Sequence, residues 1–311
     1  MKEPSASQSD RRAWRGGLLA LGAAILFGAS TPLIQRWSSD SGAFWTAALL
    51  YIGAALAGGL LRGPPTHGMT LRREHLPRLV AVALFGAALG PALLAWGLQH
   101  TSAASASLVL VLEAVFTALL ARLFYREHLG RRVILALLLM TAGGATLALE
   151  NRASNAAGIV GLIAVAVATL AWAMDNALSR PLSDLDPGRV VLAKGALGAT
   201  ATIILALSFR QASPPVGPAA ALLVVGATGY GLSLRLYLLA QREFGAARTG
   251  SVFAFAPFLE AMLSVAISGQ FPGWGLAAGG VLMLAGVVLH LTETNTQGPG
   301  RSTRIAADSP R

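Results

Sequence analysis

Five ionisable side chains interrupt long apolar segments of this sequence, and their chemistry needs an explanation. They are Glu113, Asp175, Lys194, Arg235 and Glu260. A charged side chain at the centre of a membrane helix costs about 2.5–3.5 kcal/mol on insertion scales, so such residues mark sites for ions, protons or substrate, or pair with each other. We therefore take them as candidates for substrate binding or proton coupling, together with Asn176, which follows Asp175.

Glu113 and Glu260 form the most informative pair, because each lies near the middle of an apolar segment. A shift of 143 residues places Glu260 on Thr117, one helical turn from Glu113 and on the same helix face. Desolvation disfavours a charged carboxylate, and a second carboxylate nearby disfavours it further. We expect both acids to line one central cavity and to exchange protons there. In the alternative, each is paired with Arg235 or a backbone group and never titrates.

The other three charges lie nearer the predicted ends of their segments. For Lys194 and Arg235 the alternative to function is snorkelling, in which the charged end reaches the membrane surface. For Asp175 the alternative is a structural ion pair with Lys194 or a hydrogen bond at a helix end.

Prolines and tryptophans supply a second group of candidates. Pro32, Pro91 and Pro257 lie inside predicted spans, where proline removes a backbone hydrogen bond and favours a kink, so they are candidate gating points. Kinks that serve packing alone are the alternative. Trp96 and Trp172 are candidates for stacking on a substrate, with core packing or a position in the interfacial belt as the alternative.

Composition identifies the class of protein that must position these residues. Of 311 residues, 54% are hydrophobic and 12% are charged, whereas a soluble domain carries about 25% charged residues. Ten apolar segments are long enough to cross a bilayer as helices. They lie at 17–35, 41–61, 77–98, 103–124, 132–149, 158–178, 190–208, 217–240, 247–268 and 272–290. The sequence therefore predicts an all-α multi-pass membrane protein with ten transmembrane helices. A cleaved signal peptide at 17–35 is the less favoured interpretation.

The distribution of basic residues predicts the orientation and explains the net charge of +10. Of the 24 Arg and Lys residues, 19 fall on one side of the predicted spans and three on the other. Basic loops face the cytoplasm, so both termini are expected there. The same distribution accounts for the positive charge without a nucleic-acid partner.

The two halves of the chain repeat each other. Residues 103–123 align with 246–266, and Met140-Thr-Ala-Gly-Gly144 resembles Met283-Leu-Ala-Gly-Val287 at the same shift of 143. Nearer the start of each half, Phe27-Gly-Ala-Ser30 matches Trp172-Ala-Met-Asp175 at a shift of 145. Because five spans are an odd number, the second half enters the membrane from the opposite side. The pattern predicts a 5+5 inverted repeat, which is typical of alternating-access transporters.

Several kinds of chemistry are excluded or disfavoured. There are no cysteines, which removes disulfides, thiolate nucleophiles and Cys-based metal sites. The sequence has no HExxH, GxSxG, Walker A or GxGxxG motif, and its five histidines form no ligand cluster. We therefore expect no enzyme activity, no cofactor and no metal site, and any active transport must be secondary.

Four stretches carry a family resemblance. They are 102–121 continuing to 126–130, 172–180 continuing to Asp186-Pro187 and Lys194-Gly195, 229–233, and 245–250 with 256–258. In these stretches the chain resembles the EamA-type proteins of the drug/metabolite transporter superfamily, over about 16–290. The resemblance implies a ten-helix inner-membrane carrier, many of which are exporters.

The sequence also departs from that family pattern. Ala114 stands where the family often has proline, although Pro257 is retained in the second half. Gln270 replaces the acidic residue that Glu127 represents in the first half. Arg235 and Glu260 stand where small or apolar residues are more usual. The resemblance therefore implies a fold and a type of activity, but no particular substrate.

Together these observations predict a bacterial inner-membrane secondary transporter that exports a small metabolite or drug-like compound by alternating access, with proton coupling as a hypothesis. A channel-like pore and a non-transporting scaffold or sensor are the alternatives. The expected partners are membrane lipid, a small-molecule substrate and protons, and the oligomeric state is left open. We divide the chain into an N-terminal cytoplasmic segment (1–16), a first repeat (17–150), a second repeat (157–290) and a disordered cytoplasmic tail (291–311).

Overall fold

The structure is a computed structural model. It describes residues 6–61, 76–125, 130–154, 156–179, 187–244, 249, 252–253, 255–269 and 273–296. All the regular elements in these ranges are helices. The predicted loop at 62–75, the basic stretch 126–129, the turn that contains Asp186, and residue Arg248 lie outside the described residues.

Among the described residues of the first half there are eight α-helices. They are α1 (Ala6–Gly28), α2 (Ser30–Trp37), α3 (Ala43–Leu60), α4 (Leu76–Ala83), α5 (Gly90–Leu98), α6 (Ala103–Val109), α7 (Leu112–Tyr125) and α8 (Arg131–Ser154). A π-helical segment, Leu84–Leu89, joins α4 to α5.

The second half follows the same plan. Its α-helices are α9 (Ala156–Ser179), α10 (Pro187–Ser208), α11 (Val216–Val225), α12 (Ser233–Phe244), α13 (Ala256–Ser268) and α14 (Trp274–Thr296). A second π-helical segment, Gly226–Leu232, joins α11 to α12.

Seven of the ten predicted spans coincide with helical stretches that are long and apolar enough to cross a membrane. These stretches are Trp14–Trp37, Ala43–Leu60, Leu76–Leu98, Ala103–Phe124, Gly158–Leu178, Gly188–Ser208 and Val216–Ala240. Three further apolar helices are shorter, at Ile134–Thr146, Ala256–Ser268 and Trp274–Leu289. A multi-pass membrane protein is therefore supported, while the count of ten crossings stays a prediction.

The two ends of the bundle differ from the predicted segments. Helix α1 begins at Ala6, inside the segment 1–16 that was assigned to the cytoplasm. Helix α14 continues to Thr296, six residues past the predicted end of its span at 290. Residues 1–5 and the rest of the predicted tail, 297–311, lie outside the described residues.

Contacts between helices follow the internal repeat. Gly143 packs against Met283, and Gly286 packs against Met140. Adding 143 to Gly143 gives Gly286, and adding 143 to Met140 gives Met283. The two contacts are therefore equivalent, with the roles of the two helices exchanged. Met140 and Met283 are both fully buried in the core. This reciprocity is what a pseudo-two-fold axis between the repeats produces.

Equivalent helices of the two repeats run antiparallel. In the α3–α10 contact, Gly58 lies against Leu192 whereas Gly195 lies against Tyr51, so residue numbers rise in opposite directions along the two helices. The packing of α1 on α12 is matched by that of α9 on α5. The two repeats are therefore inverted relative to each other, as their odd number of predicted spans requires.

Breaks in the helices occur at equivalent points of the two repeats. The π-helical segments Leu84–Leu89 and Gly226–Leu232 overlap when the first is shifted by 143 residues. Turns at Leu110 and Val111 separate α6 from α7, and Phe255 forms a turn directly before α13. Non-helical backbone at membrane depth is tolerated where it is buried in protein or lines a cavity, and the turn residues Leu110 and Val111 are buried.

The three predicted kink prolines lie next to these breaks. Pro32 is in the first turn of α2, Pro91 is the second residue of α5, and Pro257 is the second residue of α13. In a first helical turn the backbone N–H has no partner within the helix, so a proline there removes no hydrogen bond. Pro91 nevertheless lies inside the continuous helical stretch Leu76–Leu98, as the sequence predicted, and gating at the three prolines stays a prediction.

Candidate functional site

Glu260 lies on α13 and is completely buried, with none of its surface exposed. Thr31, at the start of α2, donates a hydrogen bond from Oγ1 to Glu260 Oε2 at 2.7 Å. The other carboxylate oxygen, Oε1, has no hydrogen-bond partner. We call Thr31 and Glu260 the Glu260 contact. It joins the first repeat to the second.

Glu113 lies in the first turn of α7 and is half-buried. Asn176, an exposed residue of α9, donates a hydrogen bond from Nδ2 to Glu113 Oε1 at 2.6 Å. We call this pair the Glu113 contact, and it too crosses between the repeats. At a shift of 145 Asn176 is the equivalent of Thr31, so the same position of each repeat donates to a glutamate of the other repeat.

Asp175 and Lys194 form an ion pair between α9 and α10. Their side chains are 6% and 14% exposed, so the pair is almost fully desolvated. Gly86, in the first π-helical segment, lies directly beneath both charged groups, and a Cβ atom there would collide with them. The ion pair that the sequence offered as the structural alternative for Asp175 is present, and snorkelling of Lys194 is wrong because its ammonium group faces inward.

The backbone carbonyl of Gly86 is a shared acceptor. Trp172 donates to it from Nε1 at 3.0 Å, and Tyr51 donates to it from its hydroxyl. The wider turn of a π-helix disturbs the regular ladder of backbone hydrogen bonds, which leaves carbonyls open to side-chain donors. Trp172 is buried and its polar atom is engaged, so it holds Gly86 in place beside Asp175.

The equivalent position of the second repeat carries no charges. Gly229, which is Gly86 shifted by 143, packs against Ser30, which is Asp175 shifted back by 145. The ring of Tyr230, the next residue, contacts Phe27 at 5.9 Å and Tyr51 at 5.6 Å between ring centroids. The hydroxyl of Tyr230 is buried and has no hydrogen-bond partner.

Two of the predicted candidates lie apart from these contacts. Arg235 is half-buried on α12 and, within the described residues, forms no ion pair with Glu260, so the predicted neutralisation of Glu260 by Arg235 is wrong. Trp96 is 37% exposed and stacks on His100 with 4.0 Å between ring centroids. Neither side chain takes part in the Glu113 or the Glu260 contact.

Sequence reasoning missed Thr31, Tyr230 and the role of Gly86. Uncharged side chains carry no insertion cost large enough to single them out of an apolar helix. Thr31 had one available signal, since it is the repeat equivalent of Asn176, which the sequence analysis did select. Gly86 and Tyr230 became visible only through the π-helical segments that present them.

Among the residues that the structure describes, no group of three or more His, Cys, Asp or Glu side chains is placed to hold a metal ion. The polar groups at the centre are instead one ion pair, two separate carboxylates and several hydroxyls. Such an arrangement can bind a small polar molecule, exchange a proton or hold a monovalent ion.

Comparisons with known proteins agree with this architecture. A family model described as EamA-like transporter family matches residues 14–149 and again 159–292. The two matches correspond to the two repeats.

One relative and one solved structure extend the comparison. An uncharacterized transporter of Methanothermobacter thermautotrophicus (strain Delta H) is 27% identical over 297 residues, covering 90% of this chain and 86% of the relative. A crystal structure matches with a TM-score of 0.65 at 19% identity, covering 92% of this chain and 98% of the other. At that identity the solved structure supports the fold alone.

Proposed function

Because this chain belongs to the EamA-like transporter family and is a multi-pass membrane transporter, we propose that it is a secondary carrier that exports a small metabolite or drug-like compound. Export would proceed by alternating access across the inner membrane of a bacterial cell. The proposed topology has ten transmembrane helices with both termini in the cytoplasm.

The observation that carries this proposal is that both glutamate contacts cross between inverted repeats. Thr31 and Glu260 belong to different repeats, as do Asn176 and Glu113. Rocking of one repeat against the other must break or rebuild such contacts, and alternating access proceeds by this type of motion. A ligand that binds in place of one contact would therefore bias the equilibrium between the two orientations.

Coupling to protons is proposed at Glu113. Its carboxylate is half-buried, and its partner is the neutral amide of Asn176 rather than a cation. Protonation of Glu113 would neutralise the carboxylate that accepts the hydrogen bond from Asn176. A hydrogen bond to a neutral acceptor is weaker, so the Glu113 contact would weaken. Proton binding and release could in this way favour one orientation of the repeats over the other.

The test uses the full chain in proteoliposomes. A thermal-shift screen of metabolites and drug-like compounds first identifies a ligand, because a compound that binds only the folded state raises the melting temperature. Flux of that ligand is then driven by a pH gradient. We expect Glu113→Gln to abolish pH-driven flux while ligand exchange at equal pH on both sides continues.

Asp40→Asn supplies the matched control, because Asp40 is an exposed carboxylate in the turn after α2 and should leave flux unchanged. Unaltered pH-driven flux in Glu113→Gln would remove this residue from the mechanism. Saturable flux with counterflow identifies a carrier, and its absence would favour the channel-like pore.

A further inference from the structure

Three buried polar atoms without hydrogen-bond partners lie on two elements of the second repeat, the π-helical segment Gly226–Leu232 and α13. They are Glu260 Oε1, the Tyr230 hydroxyl and Ser264 Oγ. Ser264 lies one helical turn after Glu260 on α13, and Tyr230 lies within electrostatic range of the Glu260 carboxylate. Buried polar groups are almost always paired, so unpaired atoms at one place indicate a missing partner.

The hydroxyls around this place are arranged to accept rather than to donate. Ser107 lies beside Glu260, and its single proton is committed to the Ala103 carbonyl at 2.6 Å. Ser30 lies beside Tyr230, and its proton goes to the Phe27 carbonyl at 2.6 Å. Ser107 therefore presents oxygen lone pairs towards the Glu260 carboxyl group, and Ser30 presents them towards the Tyr230 hydroxyl, an arrangement that a positive charge between them would stabilise.

No side chain of the described part of the chain supplies that charge. Glu260 forms no ion pair there, and the other ionisable group within electrostatic range of it is a carboxyl group as well, that of Glu113. Lys194 is already paired with Asp175. An isolated buried carboxylate is far too costly to persist in a low-dielectric interior without a compensating partner.

We propose that Glu260, Thr31, Ser107 and Tyr230 form a binding site for a monovalent metal cation of the size of Na⁺, held between the two repeats. The ligands are all oxygens, which hard cations prefer. One carboxylate balances one positive charge, so the loaded site is neutral. A divalent ion would leave an uncompensated charge, and the described residues hold no group of three or more His, Cys, Asp or Glu side chains that could balance it.

The proposed cation site is separate from the proposed proton coupling at Glu113. Its existence does not depend on which compound is transported. The Thr31 hydrogen bond holds Oε2 in place, which leaves Oε1 as the oxygen that contacts the ion. Because Thr31 and Ser107 belong to the first repeat and Glu260 to the second, a bound ion would hold the repeats together in this orientation.

The experiment measures binding of ²²Na⁺ to the purified full chain, together with its melting temperature in NaCl and in choline chloride at equal ionic strength. We expect saturable ²²Na⁺ binding and a higher melting temperature in NaCl. Glu260→Gln, which removes the charge and keeps the shape, should abolish both effects. Asp40→Asn is the matched control at an exposed carboxylate and should retain both.

Tyr230→Phe provides a second variant in case Glu260→Gln does not fold. It removes only an unpaired hydroxyl, so the protein should fold while Na⁺ affinity falls about tenfold, as is typical when one group around a bound ion is lost. Tyr237→Phe, in the following α12, is its control and should keep the wild-type affinity.

Three results would overturn the assignment. The first is a wild-type protein that binds no ²²Na⁺ and melts at the same temperature in both salts, as expected if Glu260 simply carries a proton. The second is undiminished ²²Na⁺ binding in Glu260→Gln. The third is an unchanged Na⁺ affinity in Tyr230→Phe. Failure of pH-driven flux in the Glu113 test leaves this site intact, so the two proposals can be told apart.

Discussion

The two repeats have a polar contact at equivalent positions, but the residues that form it differ in charge. In the first π-helical segment Gly86 lies against an ion pair, Asp175 with Lys194, whereas in the second segment Gly229 lies against the hydroxyl-bearing Ser30. The glutamates differ in the same way, since Glu113 is half-buried and Glu260 is fully buried. The two repeats thus share the geometry, but one side has a charge-compensated pair and the other a carboxyl group with an unpaired oxygen.

The difference matters because a closed ion pair and an open carboxylate respond differently to a ligand. Lys194 already neutralises Asp175, so this carboxylate has its counter-charge within the protein. Glu260 has one satisfied oxygen and one unpaired oxygen, so it retains capacity to bind. Substitutions in the Asp175–Lys194 pair and in the Glu260 contact, made separately, should show which of the two stabilises the fold and which one is needed for transport.

The largest effect is expected at the ion pair. Lys194→Met should lower the free energy of unfolding by about 3–5 kcal/mol, because it leaves the Asp175 carboxylate buried without its partner. The double variant Asp175→Asn with Lys194→Met should recover much of this loss. Unfolding by SDS titration in mixed micelles measures both values. A double variant that loses the sum of the two single effects would show that the pair is not coupled.

The next effect concerns the two equivalent glycines. Gly86→Ala would push a Cβ atom into the charged groups of Asp175 and Lys194, and Gly229→Ala would bring one within 2.8 Å of the Ser30 Cβ. We expect each to destabilise the protein by about 1–3 kcal/mol, with Gly86→Ala the more severe. Gly217→Ala is the control, because nothing lies within 4 Å of that position. Equal melting temperatures for all three variants would contradict the close packing described here.

A smaller difference should separate the two glutamate contacts. Thr31→Val removes the hydrogen bond to the buried Glu260 and should cost about 1–3 kcal/mol, because the acceptor oxygen is left unpaired and cannot reach water. Asn176→Leu removes the matching bond to Glu113 and should cost less than about 1 kcal/mol, since water can replace the donor at a half-exposed site. The comparison fails if Asn176→Leu proves the more destabilising of the two.

A similarly small effect is expected at Tyr51. Tyr51→Phe deletes one of the two side-chain donors to the Gly86 carbonyl and should cost about 1 kcal/mol. The carbonyl still accepts from Trp172, so it is not left unpaired. Adding Trp172→Phe should therefore cost more in the Tyr51→Phe background than in the wild type. A strictly additive pair of variants would argue against a shared acceptor.

Sequence patterning predicted the helical class, the positions of the apolar segments and the inverted repeat, because each follows from local and periodic properties. A stretch of about 20 apolar residues matches the thickness of a bilayer and can therefore be recognised from the sequence alone. The repeat shift of 143 residues is likewise visible when the two halves are aligned. The ionisable candidates were also accessible, since their insertion cost makes them conspicuous. The Asp175–Lys194 ion pair was named as an alternative on the same basis.

Partner choice was not accessible in this way. The sequence suggested Arg235 as a counter-charge for Glu260, yet the structure gives Glu260 the hydroxyl of Thr31. It also indicated gating points at Pro32, Pro91 and Pro257, and this remains a prediction, although a turn or a π-helical segment lies just before each of the three helices. The correction at Glu260 depends on a contact between residues far apart in the chain.

What the amino-acid sequence determined by itself is therefore a membrane transporter built from two inverted repeats, with a short set of buried charges that had to be explained. Only the tertiary structure decided that Lys194 closes onto Asp175, that Glu113 and Glu260 receive donors from equivalent positions, and that Glu260 Oε1 remains unpaired. Hydropathy and repeat period are properties of a single stretch of chain. The partner of a buried charge is instead set by which helices pack together, and packing depends on the whole bundle at once.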